Sequence, residues 1–247
     1  MTNALLLNVR AQFDEVTHLP AFTVPSLALP LITYLIFGAP AVHGSPVAAD
    51  GALVGYAAFA LLGVVMFQFG VGIAVDRVSP WERYLRTLPA GPLTRFAARL
   101  LVALSFGAVA LVPVCLCAAL VTPVSLDLAA WLRVLAVLLI GSVPLGLLGI
   151  ALGYLVSARG ALPVTNLIYL PLAYAGGLFG ARPEQLPDAV AAVSPWLPTR
   201  QWSDVLVGFG LGGQWQARPL LGLLGYALAL AGLAVVGYRR DELKQYR

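Results

Sequence analysis

Along the 247-residue chain, stretches free of Asp, Glu, Lys and Arg recur six times. They cover 19–49 (apolar part 20–38), 51–75, 100–126, 134–158, 160–181 and 219–238. A helix needs about 20 mainly apolar residues to cross about 30 Å of hydrocarbon, so each stretch predicts one membrane-spanning helix. Prolines fall inside several of them, among them Pro20, Pro25 and Pro30 in the first, Pro144 in the fourth, and Pro163 and Pro171 in the fifth. Each removes an N–H and bends its helix, which membrane helices tolerate when neighbours satisfy the freed carbonyls. The predicted fold class is all-α integral membrane, a single six-helix domain over 1–247. No basic stretch followed by a small-residue cleavage site precedes the first apolar run, so no signal peptide is expected. The chain shows no repeat at a fixed period, no low-complexity tract and no long linker.

Four segments lie between or beyond these runs. In 3–17, Leu5, Val9, Phe13 and Val16 recur at helical spacing, with Asn3, Arg10, Asp14 and Thr17 on the other side. That pattern fits a helix over 1–18 lying in the interface plane, or an unstructured tail. Between 76 and 99, Ser79-Pro80-Trp81-Glu82 reads as a helix start, with Ser79 as N-cap, Pro80 at the first position and Glu82 closing a capping box. Pro89 ends this helix over 79–89; Trp81, Leu85 and Leu88 share a face, and Arg83 and Arg86 project elsewhere. So short a helix needs support. It packs either on the membrane surface, with Trp81 and Tyr84 as anchors, or on a soluble partner. In 182–218, Leu186, Val190, Val193 and Leu197 form one helical set and Trp202, Val205, Leu206 and Phe209 a second. Two short helices over 183–210, broken near Pro195 and Pro198, are expected to dip toward the leaflet with their tryptophans at the water–lipid boundary. Residues 239–247 form a basic stop.

Composition removes whole classes of function. The chain is 60% hydrophobic and 11% charged with mean hydropathy +0.88, against about 45–50% and about 25% for soluble domains. A soluble enzyme and a disordered chain are both excluded. The net charge of +4 comes from 14 Arg and one Lys against 11 acids, placed mostly between apolar runs. This is a topology signal and not a nucleic-acid footprint. With the N-terminus inside, eleven basic residues fall on the cytoplasmic side and four (Arg133, Arg182, Arg200, Arg218) outside. Both termini are therefore expected in the cytoplasm of a cell-membrane protein.

The spans themselves are poor in reactive groups. Cys115 and Cys117, at i,i+2, point to different sides of a helix and predict neither a disulfide nor a metal site. His18 and His43 fall outside the long runs, and Ser105 and Ser142 have no base beside them. Gln68 and Asn166 are the most polar residues in the spans, which counts against an ion-coupled carrier built on buried charges. Gly63, Gly70 and Gly72 in the second run, with Gly141, Gly146, Gly149 and Gly153 in the fourth, permit close helix approach. No G-x-x-x-x-G-K-[ST] phosphate loop occurs.

The order of parts resembles the membrane subunits of ATP-binding-cassette exporters of the type-2 permease class. Trp81-Glu82-Arg83-Tyr84-Leu85-Arg86-Thr87-Leu88-Pro89 is similar to that family's "E-R … L … P" stretch, although Tyr84-Leu85 replaces its Gly-Thr pair. Leu170-Pro171, Gly176-Gly177, Pro183, Leu186-Pro187, Ser194-Pro195 and Leu197-Pro198 are similar to its fifth-span signature. The resemblance implies an elbow helix at Leu5, Val9 and Phe13. It also implies a coupling helix at Trp81, Glu82, Arg83, Leu85, Arg86 and Leu88, and an extracellular gate at Leu186, Val190, Val193 and Leu197. It implies no cofactor in this chain, with ATP and Mg held by a separate nucleotide-binding subunit, and pairing with a second copy or a similar permease in the lipid bilayer. The first, second and fifth spans would then line an export path. Its charge-free walls suit a hydrophobic or amphipathic cargo such as a drug, a lipid-like molecule or a peptide. The alternative is a membrane-embedded substrate-binding or structural subunit without its own path.

Overall fold

The computed structural model describes residues 28–79, 92–180 and 186–245. The segments 1–18 and 79–89 singled out above, Ser79 excepted, lie outside the described residues. So do all nine side chains assigned to the elbow and coupling helices: Leu5, Val9, Phe13, Trp81, Glu82, Arg83, Leu85, Arg86 and Leu88.

Eight helices appear among the described residues: α1 Ala28–Ala41, α2 Pro46–Asp76, α3 Pro92–Val121, α4 Leu128–Leu155, α5 Ala158–Ala175, α6 Asp188–Val193, α7 Pro198–Val205 and α8 Ala217–Gln245. Four of them, α2, α3, α4 and α8, are long and apolar enough to cross a membrane. The described part of α1 is apolar but shorter. Helix α5 has 18 residues but carries Arg159, Asn166, Pro163 and Pro171, which dilute its hydropathy. Helices α2, α4 and α8 all reach Arg77 with their C-terminal ends, so these three run in the same direction. One end of the bundle carries Arg77, and the other carries Arg200 and helices α6 and α7.

The helices extend past the apolar runs because capping chemistry, and not hydropathy, sets where they stop. Helix α2 starts five residues early, where the Ser45 side chain accepts from the Ala48 N–H and Pro46 takes the first position. Asp50 sits inside this first stretch without ending it, because its carboxylate accepts from the Ser125 backbone N–H (2.9 Å) and hydroxyl (2.8 Å). Helix α4 starts at Asp127, which accepts from the Ala130 N–H at 2.6 Å. Helix α3 begins at Pro92 and ends at Val121, just before Thr122-Pro123. Helix α8 runs on through Arg239 and Arg240. Helix α5 stops at Ala175 rather than near 181. Gly177, at φ +73°, donates its N–H to Tyr174 O and Leu178 donates to Ala173 O, the paired bonds of a Schellman ending.

Helix α2 is the axis. Residues Ala52–Met66 are buried without interruption, and its apolar stretch is 67% buried against 17% for that of α8. A helix apolar all round belongs in the middle of a bundle, and α2 is placed there. On one side an aromatic series ties α2 to α1, α5 and the turn after α5. Tyr34 meets Tyr56 edge-on at 5.4 Å, Tyr56 and Phe59 both meet Phe179, and Phe59 stacks on Tyr169 at 5.0 Å. Phe67 then meets Tyr169 at 5.5 Å. Such pairs add about 0.5–1.5 kcal/mol each beyond area burial. Thr122 donates its hydroxyl to Ala118 O, so in the buried 2.9 Å contact the Tyr34 hydroxyl is the donor and the Thr122 hydroxyl accepts.

Three π-helical turns interrupt the regular ladder, Tyr34–Gly38, Phe67–Gly72 and Leu206–Gly210, each ending in glycine. Such widened turns concentrate at functional places in helices. The one in α2 faces the glycine stripe of α4. A Cβ on Gly149 would lie 3.0 Å from both the Val65 carbonyl and the Phe69 side chain, and one on Gly153 would lie 2.6 Å from the Phe69 carbonyl. The α4 glycines therefore serve packing within the chain. Gly153→Val must displace backbone, which costs about 1–3 kcal/mol, and should lower the melting temperature of detergent-purified protein. Gly232→Ala on α8, where nothing lies within 4 Å, should leave it unchanged or slightly raised.

Candidate functional site

At the Arg200 end, 186–210 folds back over the bundle. Leu186 is buried, Val190 and Leu197 are half-buried and Val193 is exposed. These four do not share one face of one helix, because α6 ends at Val193 in a tight turn over Ser194–Trp196 and Leu197 is extended. The Ser194 hydroxyl donates to Ala175 O (2.5 Å) and the Thr199 hydroxyl to Leu172 O (2.7 Å). Ala175 O is among the last carbonyls of α5, which a helix end leaves without an intrahelical partner, whereas Leu172 O already accepts from the Gly176 N–H at 2.9 Å and takes Thr199 as a second donor. Gly176 permits this approach, since a Cβ there would sit 2.4 Å from the Thr199 hydroxyl.

Trp202 departs from its expected place at the water–lipid boundary. Its side chain is fully buried, its Nε1–H donates to Val137 O (3.0 Å), and its ring fills the space a Cβ on Gly141 would need. The stripe of α7 that carries it thus faces α4. Trp196 and Trp215 are exposed, and the Arg218 guanidinium stands over the Trp196 ring at 5.4 Å. Gly141 was read as a packing position without a partner in view, and Trp202 is that partner.

Beneath α7 and the stretch 206–213 a cavity of about 670 Å³ opens between the ends of α1, α2 and α5. Gly38, Val42, Ala52, Gly55, Phe179 and Arg200 are among its lining residues. Arg200 pairs with Asp204 one turn on (2.9 Å). Burial pushes the Asp204 carboxyl above the ordinary carboxylate range, and the Arg200 charge opposes the shift without cancelling it. Acidification therefore neutralises Asp204 at a higher pH than an exposed aspartate.

Two amides mark the membrane interior. Gln68 lies in the widened turn of α2 with its Nε2 buried and unbonded. Asn166 lies at the middle of α5 and is exposed, its amide donating to Leu162 O at 3.2 Å. Pro163, Leu167, Leu170, Pro171 and Tyr174 are exposed along the same helix.

At the opposite end, Arg77 follows the last turn of α2. One guanidinium nitrogen donates to Tyr154 O and to Asp241 Oδ1, both at 2.9 Å, and the other to Val156 O at 2.6 Å. The side chains of Arg77 and Asp241 are only 16% and 11% exposed. Removing one partner of so buried a pair costs about 3–5 kcal/mol, since the other charge stays behind. The Tyr154 and Tyr238 rings meet edge-on beside it at 5.6 Å. In the sequence Arg77 is one of the eleven basic residues expected on the cytoplasmic side, and nothing local pairs it with a position 164 residues away.

This assembly of apolar spans, a folded-back helical segment and a charge-poor interior agrees with a comparison of the chain against known families. Residues 3–208 match the family described as ABC-2 type transporter. The chain belongs to the ABC-2 type transporter family. It is also 22% identical over 184 residues to the Bacillus subtilis (strain 168) protein named "Putative transport permease YvfS", an alignment covering 74% of this chain and 75% of that one. The ABC-2 chain described here is thus a multi-pass membrane protein of permease type.

In this family member Trp202 pins the folded-back segment to α4. Trp202→Ala should destabilise the protein by about 3–5 kcal/mol. Trp202→Phe, which keeps most of the packing and loses one hydrogen bond, should cost about 1 kcal/mol. Thermal unfolding of the purified variants followed by tryptophan fluorescence measures both.

Proposed function

We propose that this chain is the membrane half of an ATP-driven exporter, six-spanning with both termini in the cytoplasm. A separate nucleotide-binding ABC subunit powers it, and it pairs with a second copy or a similar permease across the face that carries α5. In this reading the Arg77 end is cytoplasmic, 79–89 is the coupling helix, and the segment over the 670 Å³ cavity is the outer gate.

The observation that carries the reading is Asn166. A carboxamide exposed at the centre of a membrane-depth helix is costly against lipid, and such groups face a bundle interior or a watered cavity instead. The α5 stripe holding it also carries two prolines, and the mouth of the cavity adjoins the ends of α1, α2 and α5. A face of this composition belongs on a path between two permeases. The walls offer small and apolar side chains with few fixed charges, which suits a hydrophobic or amphipathic cargo carried outward.

Two experiments test the reading. In a background lacking Cys115 and Cys117, Asn166→Cys in the assembled complex should react with a membrane-impermeant maleimide. Leu228→Cys, 78% exposed on α8, should stay protected by lipid. Equal protection of both positions would remove Asn166 from any aqueous path. Separately, Leu85→Asp with Leu88→Asp places two carboxylates on an apolar docking face. A loss of roughly 2–4 kcal/mol at such a contact weakens association with the ABC subunit by at least about tenfold. Stimulation of its ATPase activity should then disappear. Undiminished stimulation would favour a binding or structural subunit with no coupling role.

A further inference from the structure

Arg77 lies two residues before the stretch assigned to coupling, yet its side chain is committed to neither of the helices that stretch connects. Its guanidinium bonds two carbonyls at the end of α4 and the carboxylate of Asp241 on α8. The Tyr154 carbonyl is one of the four that α4 leaves unpaired, so the cation also meets the negative end of that helix. Helix α3, the covalent continuation of the stretch, packs on α2. Without Arg77, a displacement of residues 79–89 would reach α2 and α3 through the chain and α8 only by sliding contacts. With it, the same displacement pulls on a fork of three hydrogen bonds whose acceptors belong to two further helices. Three of the five guanidinium N–H groups are bonded, and Nε is buried without an acceptor.

We propose that Arg77 is the positioning residue that carries nucleotide-driven movement from the coupling stretch into α4 and α8, with Asp241 as its receiver on α8. The proposal rests on the exporter reading, since it presumes a partner that moves 79–89. Arg77 joins α2 to α8 by a charged contact at their cytoplasmic ends. The adjoining Tyr154–Tyr238 pair, with Gly237 so near that a Cβ on it would lie 3.0 Å from the Tyr154 Cβ, keeps α4 and α8 moving together.

The test uses the complex with the ABC subunit, reconstituted in lipid, in a chain lacking Cys115 and Cys117. Spin labels at Leu101→Cys on α3 and Val236→Cys on α8, both exposed positions, report the α3–α8 distance without nucleotide and after trapping with ATP and vanadate. In the otherwise unchanged chain the distance distribution shifts on trapping. In Arg77→Gln and in Asp241→Ala the shift is lost while ATP hydrolysis by the complex persists, so that hydrolysis and helix movement separate. A purely structural role would lower the melting temperature and the yield of complex but leave the shift intact in the molecules that assemble. That result overturns the proposal. If Arg77→Gln does not assemble, Asp241→Ala decides by the same reading, because the two α4 carbonyls still hold the Arg77 cation. An unchanged chain that shows neither ATPase stimulation nor a shift would overturn the exporter reading itself, which is a different outcome from a shift that survives both substitutions.

Discussion

The contact between the glycine stripe of α4 and the widened turn of α2 is the constraint on which the rest of the bundle depends. Lipid tails are as apolar as leucine, so membrane helices associate by close packing and interhelical hydrogen bonds rather than by escape from water. Gly146, Gly149 and Gly153 bring α4 against Val65, Phe69 and Ile73 at distances that leave no room for a side chain. This closeness allows α2 to be buried on all sides, with α3 on another flank through Gly107, α5 through Gly63 and Gly70, and the turn after α5 through Gly55. It also consumes the small residues inside the chain, so they are not free to form a face for a second copy.

What hydropathy could reveal, and what it could not, follows from the same physics. Apolar runs identified the helices because burial in lipid requires a long apolar stretch. They misplaced the helix ends, which depend on single capping side chains such as Ser45 and Asp127 and on the αL turn at Gly177. The π-helical turns left no trace in the sequence reading, because one extra residue in a turn barely alters a pattern that is apolar on every side. Trp202 was misread for a related reason. An amphipathic short helix looks the same whether its apolar stripe meets lipid or α4, and only the partner, Gly141, distinguishes the two. The placement of α6 and α7 as two short helices broken near the prolines was legible, because proline and the Ser-Pro and Leu-Pro pairs act locally. The Arg77–Asp241 pair was not, since an ion pair between positions far apart in the chain has no local signature.

The polar groups of the described residues fall into two kinds. Most are spent on helix ends: Ser194 on the last carbonyl of α5, Arg77 on the end of α4, and Asp50 on the turn before α4. These satisfy backbone groups that would otherwise be stranded near hydrocarbon. Asn166 and Gln68 cap nothing at a helix end. They sit at membrane depth on adjoining elements, one exposed and one with a buried unbonded nitrogen, and they are the positions at which the exporter reading meets the interior of the bundle.

Helix α4 is held at three places between Val137 and its C-terminal end. Trp202 is bonded at Val137 and packed on Gly141, the widened turn of α2 lies against Gly146 to Gly153, and Arg77 grips Tyr154 and Val156. The first anchor belongs to the segment over the cavity and the last to the root of the coupling stretch, so α4 is the element that touches both ends of the proposed machine. Pro144 lies between the first anchor and the second. It supplies no N–H for the Ile140 carbonyl, so the hydrogen-bond ladder of α4 has a gap between the half pinned by Trp202 and the half pinned by α2 and Arg77. A rod anchored on both sides of such a gap bends there more readily than elsewhere when one end is pulled. In the exporter proposed above, force entering at Arg77 would reach the outer segment as a change of angle at Pro144 rather than as a sliding of α4 past α2, a motion the glycine contacts leave no room for.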